Sequence, residues 1–262
     1  MKRHKQYADR RRVKETFLEL NNVSKNFLVK DREHNVIKDI SFKTNSGEIL
    51  CILGPSGCGK TTLLDLVAGF TKPSTGKILI NEKEVDKPGS DRCVVFQKAA
   101  LFPWLSVKEN IAVGLKILKV DKKTIDKKVD NYLQLVGLDG FGDYLIEEIS
   151  GGMAQRVALA RVLVLNPPIL LMDEPFSGLD FRIRNDMQNL LLSVWAQFKK
   201  TIIFITHDID ESIILADRII LMDNQPGQII KELKNPLIRP RDISNNDFIK
   251  FKKEIYLSFK SI

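Results

Sequence analysis

Glu48-Ile-Leu-Cys-Ile-Leu-Gly54-Pro-Ser-Gly-Cys-Gly-Lys60-Thr61-Thr62-Leu-Leu-Asp-Leu-Val-Ala-Gly69 carries three signals in succession. Its opening run is apolar and short, as a buried strand is. Gly54 to Thr61 satisfies G-x-x-x-x-G-K-[ST], and the residues that follow repeat apolar side chains at helical spacing up to Gly69, a C-terminal cap. A glycine-rich turn between strand and helix lets several backbone N–H groups converge on phosphate oxygens, and the helix start behind them adds partial positive charge. Gly54, Pro55, Ser56, Gly57, Cys58, Gly59, Lys60, Thr61 and Thr62 are therefore read as a nucleotide-binding loop. Lys60 is assigned to the β and γ phosphates and the Thr61 hydroxyl to Mg²⁺.

Farther along, Ile169-Leu-Leu-Met-Asp173-Glu174 ends a second apolar run on two carboxylates. Charge at the end of a buried strand is costly unless it is paired or bound to metal. Asp173 suits a Mg²⁺ shell and Glu174 a base or polariser for attacking water, since phosphoryl transfer to water needs in-line positioning. A third apolar run, Ile202 to Thr206, leads directly into His207; position alone leaves that histidine between a functional and an ordinary residue.

Around these runs the chain alternates strand and helix. Phe17 to Leu20, Val36 to Phe42, Lys77 to Ile80 and Arg92 to Phe96 read as strands. Ser106-Val-Lys-Glu109 is a capping box ahead of a helix, and Ile125, Val129, Tyr132, Leu133 and Val136 share one helical face. Gln155 to Leu165 reads as a helix, and Ile183, Met187, Leu190, Leu191, Val194 and Phe198 form another stripe. The rest is expected to give one more helix, a hairpin at Ile219 to Glu232 around Pro226-Gly227, and a charged tail containing Arg239-Pro-Arg241. The expected fold is α/β: an ATPase core with a mainly parallel sheet, an N-terminal antiparallel β subdomain and an inserted helical subdomain. The divisions are 1–15, a basic tail; 16–97, the antiparallel subdomain and first part of the core; 98–155, the helical subdomain; 156–232, the second part of the core; and 233–262, a charged extension.

Composition narrows the class without choosing a function. At 44% hydrophobic and 28% charged residues the chain is globular in type. No apolar run approaches the roughly 20 residues of a spanning helix, and the basic start lacks the apolar stretch of a secretory signal. Three cysteines without a CxxC pair suggest neither a disulfide framework nor a zinc site. The net charge of +8 fits either a solvated basic surface or attraction to anionic lipid or nucleic acid.

The order of these motifs resembles the nucleotide-binding subunits of ABC transporters from about residue 17 to 225. Ser150-Gly151-Gly152-Met153, followed by Ala-Gln-Arg-Val-Ala-Leu-Ala-Arg161, is similar to the family's signature and its helix. The resemblance makes Gln97 the Q-loop glutamine and a further Mg²⁺ ligand, Ser177-Gly-Leu-Asp180 the dimer loop, His207 the switch histidine, and Phe27 the aromatic that stacks on adenine, with a core phenylalanine as the other reading. Met153 stands where many members carry glutamine, and Phe27 where tyrosine is more usual. Neither change disables chemistry that rests on backbone N–H groups and a π face.

The same resemblance implies ATP and Mg²⁺ as bound groups and catalysis by Glu174, His207 and Gln97. It implies a head-to-tail homodimer, or pair with another ATPase subunit, in which Ser150, Gly151, Gly152 and Met153 close over ATP on the partner. Two membrane permease subunits, a solute-binding protein outside the membrane and a peripheral place on its cytoplasmic face follow. Leu101-Phe-Pro-Trp104 is read either as part of the permease-docking surface or as core. Ser90-Asp-Arg-Cys-Val-Val-Phe-Gln97, Leu101-Phe-Pro-Trp-Leu-Ser-Val-Lys-Glu-Asn110 and Arg239-Pro-Arg241 resemble the nitrate, sulfonate and taurine importer group, and pyrimidine-precursor importers share much of this pattern. Alternatives are an export or lipoprotein-release ATPase, or a non-transport ABC ATPase acting on nucleic acid, a partner the motifs do not call for.

Overall fold

The computed structural model of the chain describes residues 16–223 and 226–260; the basic segment 1–15, read as a tail, lies outside them. Two sheets result. The first is antiparallel, built from β1 (Thr16–Val29), β2 (Arg32–Asn45), β4 (Thr75–Ile80) and the short β5 (Lys83–Glu84) in the order β2-β1-β4-β5. The second comprises β3 (Ile49–Leu53), β6 (Arg92–Val95), β7 (Ile169–Asp173), β8 (Thr201–Thr206), β9 (Arg218–Asp223) and β10 (Gln228–Lys234). Its order is β10-β9-β3-β8-β7-β6, with every neighbouring pair parallel except the β9–β10 hairpin.

Alternation along the central strands divides the core. Cys51, Leu53, Leu170, Met172, Ile202 and Phe204 face one layer, and Leu50, Ile52, Leu171, Ile203 and Ile205 face the other. The second layer is closed by α1 (Lys60–Ala68) and the antiparallel sheet. The first is closed by α4 (Gly151–Leu163), α5 (Phe181–Phe198), α6 (Ile209–Leu215) and α7 (Asn246–Lys260). Strands buried on both faces read as continuous apolar runs, which is why the sequence shows them plainly.

The inserted helices α2 (Val107–Ile117) and α3 (Lys122–Leu135) pack with α4 around Ile111, Leu115, Val129, Leu133, Val157 and Ala160. The expected capping box is present: the Glu109 N–H donates to Ser106 Oγ at 3.3 Å and the Ser106 N–H to Glu109 Oε2 at 3.0 Å. Two expectations change. β1 and β2 each run to 14 residues, well past the apolar stretches that announced them. The charged tail is in fact folded: α7 buries Phe248, Phe251 and Ile255, at spacings of three and four, in the same layer as Ile213 and Leu215 of α6.

Candidate functional site

Four adjacent parallel strands, β3, β8, β7 and β6, end at one edge of the central sheet and deliver the phosphate loop, His207, the Asp173–Glu174 pair and Gln97 there. Loops at the carboxyl ends of parallel strands are where ligands of such sheets bind. A cleft of about 390 Å³ opens at this edge, and Lys60, Thr61, Gln97, Asp173 and Glu174 all reach it.

Lys60 begins α1 and is buried, its ammonium donating to the carbonyls of Gly54 at 2.8 Å and Pro55 at 2.9 Å. Neutral carbonyls hold the cation without cancelling its charge. At Gly57 an added methyl would meet nothing within 4 Å, although φ is +86°. The loop backbone therefore curves around open space, as a phosphate cradle must, and residues with a Cβ rarely adopt that conformation. Cys58 turns the other way: its side chain is fully buried in the layer under α1. Only its backbone is left for a ligand.

Thr61 Oγ1 lies 3.4 Å from Asp173 Oδ1. Burial pushes the Asp173 carboxyl above its usual range, the Thr61 hydroxyl pulls it back, and the charge of Glu174 adds to the rise. A hydroxyl and a carboxylate converging on one cleft are hard oxygen donors of the kind Mg²⁺ takes. Among the described residues no group of three His, Cys, Asp or Glu gathers into an all-protein cage. Such an ion would complete its shell with phosphate and water oxygens.

Glu174 has a left-handed backbone at φ 42°, stabilised by its N–H donating to the Ile205 carbonyl at 3.0 Å. Its Oε2 sits 3.0 Å from His207 Nδ1, so a proton on Nδ1 is donated to the carboxylate and Nε2 is the ring atom left for a ligand. Gln97 donates from Nε2 to Ser177 Oγ at 3.2 Å, linking the glutamine to the loop after Glu174.

Other residues singled out in the sequence do not join this cleft. Ser150 caps α4, accepting from the Met153 N–H at 3.3 Å. Ser150, Gly152 and Met153 line a separate cleft of about 260 Å³ together with Gly137, Arg156 and Ile183, and the two clefts share no lining residue. Gly151 is open, whereas a Cβ at Gly152 would lie 2.6 Å from Ile183 of α5, so close helix packing requires that glycine. Asp180 caps α5, accepting from the Ile183 N–H at 3.0 Å. Phe27, 40% exposed on β1 beneath the Lys25 ammonium, is not among the residues lining the phosphate cleft.

Three contributors escaped the sequence reading. Val36 of β2 lines the cleft and leans on Gly59, but an apolar residue in a strand carries no signal of this. Gln155, buried in α4, donates to the Pro175 carbonyl at 2.7 Å and approaches the Gln97 carbonyl at 3.5 Å, tying the loops after β6 and β7 together. A glutamine among apolar helix positions was the available clue. Arg184 of α5 bonds the Leu179 carbonyl at 3.1 Å and Asp208 at 3.4 Å, joining the loop before α5 to the residue after His207.

The family model described as ABC transporter matches residues 37–177. The taurine import ATP-binding protein TauB of Pelagibacter ubique is 48% identical over 202 residues, 77% of this chain and 76% of that protein. The aliphatic sulfonates import ATP-binding protein SsuB of Bacillus cereus (strain ZK / E33L) is 42% identical over 241 residues, 92% and 95% of the two. Among solved structures, the dimeric post-hydrolysis state of the ATP-binding cassette MJ0796, bound to ADP and Pi, superposes with a TM-score of 0.74 at 29% identity. It covers 84% of this chain and 100% of that one.

Proposed function

This chain belongs to the ABC transporter family as an ATP-binding, ATP-hydrolysing subunit of the import type, and we propose that the solute it moves is taurine or a related small sulfonate. The solute class draws on relatives whose names give taurine and aliphatic sulfonates, at 48% and 42% identity. What supports the site assignment is the convergence of Lys60, the Thr61–Asp173 pair, Glu174 and Gln97 on one cleft, with His207 held against Glu174.

In this reading the loop of residues 54–62 binds the ATP phosphates through backbone N–H groups and Lys60, and Phe27 stacks on the adenine. Mg²⁺ held by Thr61, Asp173 and Gln97 would neutralise phosphate charge. Glu174 orients and polarises the attacking water, and His207 Nε2 faces the γ phosphate while Nδ1 keeps the ring on Glu174. Ser150, Gly151, Gly152 and Met153 serve ATP bound to a second subunit, since their cleft is separate from the phosphate cleft of their own chain. Asp180 steers the loop that meets that subunit. The dimeric state of the neighbour bound to ADP and Pi supports a pair of subunits.

No helix among the described residues is long and apolar enough to cross a membrane, so attachment at the cytoplasmic face would run through two permease subunits. Trp104, 72% exposed and in contact with Phe102, offers an apolar docking point on the helical subdomain. Asn110 holds that loop from beneath through the Phe102, Leu105 and Ser106 carbonyls. The divisions 16–97, 98–155 and 156–232 then become core, transmitting arm and core again, and a solute-binding protein outside the membrane selects the cargo.

The test is uptake of radiolabelled taurine and ethanesulfonate in cells whose only copy of this subunit is wild type or Lys60→Ala. Both ATP turnover by the purified variant and uptake by the cells should fall at least about tenfold, because a charge-assisted phosphate contact is lost. Uptake of neither solute depending on the chain would overturn the solute class. Wild-type turnover in the variant would overturn the phosphate-loop assignment.

A further inference from the structure

The Arg239-Pro-Arg241 segment has no part in the chemistry described above, yet the structure places it against the helix that follows His207. α6 has only seven residues, too few to be stable without help at its ends. Its start is fixed locally: Asp208 accepts from the Asp210 N–H at 2.8 Å and the Glu211 N–H at 3.1 Å, while Thr206 Oγ1 donates to Glu211 Oε2 at 2.8 Å.

Its end is fixed from the far side of β10. The Ile213 carbonyl accepts from Asn235 Nδ2 and Arg241 Nη1, both at 2.8 Å. The Ile214 carbonyl accepts from Arg241 at 3.1 Å, and that of Leu215 accepts from Arg239 Nη2. The Ala216 carbonyl accepts from Asn235 at 3.0 Å and Arg241 at 2.8 Å. The terminal carbonyls that a helix leaves unpaired are thus occupied by three side chains, two of them cations at the negative end of the helix dipole.

Anchoring a C-terminal extension does not require this. Phe248, Phe251 and Ile255 already bury α7 in the core, and Lys252 pairs with Asp210 at 2.7 Å. Arg241 is held by carbonyls alone, beside Arg239, and burial lowers its pKa to about 10. Arg239 is rigid in turn, paired with Asp217 at 2.6 Å and stacked on Trp195 at 4.5 Å. Two adjacent guanidinia at this spot carry a desolvation and repulsion cost that an apolar anchor would avoid.

We propose that Arg239 and Arg241, with Asn235, form a brace that fixes the far end of α6 and so keeps His207, immediately before its cap, on Glu174. They are positioning residues for hydrolysis, and the C-terminal extension is thereby part of the ATPase machinery. The proposal rests on the reading of His207 given above.

The experiment compares wild type, Arg241→Ala, His207→Ala and the double variant, full length, by steady-state MgATP turnover and by amide hydrogen exchange across residues 207–212. Arg241→Ala should lower kcat about tenfold, equivalent to about 1.4 kcal/mol in barrier height, with the KM for ATP changed less than twofold. On the His207→Ala background it should lower kcat by less than twofold. Exchange at 207–212, the end of α6 remote from the substitution, should quicken at least about tenfold. Equal kcat losses on both backgrounds, or unchanged exchange at 207–212, would overturn the brace. If Arg241→Ala does not fold, Arg241→Met replaces it, keeping an unbranched apolar stem and removing every N–H donor to the α6 carbonyls; wild-type kcat and exchange in that variant would likewise overturn it. If His207→Ala alone turns over ATP like wild type, the histidine reading fails and the exchange measurement judges the brace separately.

Discussion

Cys58 shows how two residues of one loop can face opposite environments. Lys60 Nζ is 4.0 Å from Cys58 Sγ, yet the sulfur is buried with the α1 layer while the cleft opens on the other side of the backbone. Its neighbourhood in sequence suggests a thiol that reagents would reach and ATP would protect. The fold points the other way: burial raises the Cys58 thiol above its ordinary pKa and outweighs the nearby ammonium, and the reactive species is the thiolate. Native protein at pH 7.5 should therefore label at Cys58 at least about tenfold more slowly than urea-unfolded protein, with or without MgATP. Mass spectrometry after maleimide treatment reads this directly, and rapid native labelling would mean that the loop opens toward solvent.

At the scale of elements, α6 carries a second buried group whose titration can be checked. Glu211 is 5% exposed, and burial pushes its carboxyl above the usual value, against the pull of the Thr206 hydroxyl and Arg184. A carboxyl with a raised folded pKa binds more protons folded than unfolded, so its contribution to stability falls as pH rises from the unfolded value through the folded one. Glu211→Gln keeps an oxygen for Thr206 and removes the charge. Its Tm relative to wild type should thus be higher at pH 7.5 than at pH 5, by about 2–4 °C for each kcal/mol recovered; the opposite trend in calorimetry would show that Arg184 neutralises the carboxylate. The elements themselves differed in legibility. β3, β7 and β8 are apolar on both faces and could be read directly, as could the loops they deliver, since residue type and spacing carry that chemistry. β1 hid behind Asn21-Asn22, a polar pair where its register shifts between Leu20 and Val23. α7 hid behind its lysines, although Phe248, Phe251 and Ile255 lay at helical spacing. Val36, Gln155 and Arg184 were missed for another reason: each acts through a contact between segments distant in sequence.

At the scale of the whole molecule, the segment proposed as the signature and the phosphate loop line separate clefts of one chain, and the composite site proposed above therefore needs two chains. Glu174→Gln tests this geometry. The substitution keeps side-chain size and an oxygen that His207 can reach, but removes the negative charge assigned to polarising water. It touches neither Lys60 nor the Thr61–Asp173 pair, so MgATP binding should persist with its affinity changed by less than about threefold, while turnover falls by at least about two orders of magnitude, the lower end for loss of a general base. With hydrolysis stopped, ATP bridging two subunits cannot be cleared, and size-exclusion chromatography in MgATP should show a dimer that disappears when ADP replaces ATP. Asp173→Asn should separate from it by weakening the Mg²⁺-dependent part of nucleotide affinity. A Glu174→Gln variant that hydrolyses ATP at the wild-type rate removes the catalytic assignment. One that is inactive but monomeric at saturating MgATP keeps that assignment and makes the permease subunits a requirement for closure, because the two signature faces would then lack the contact area to pair alone.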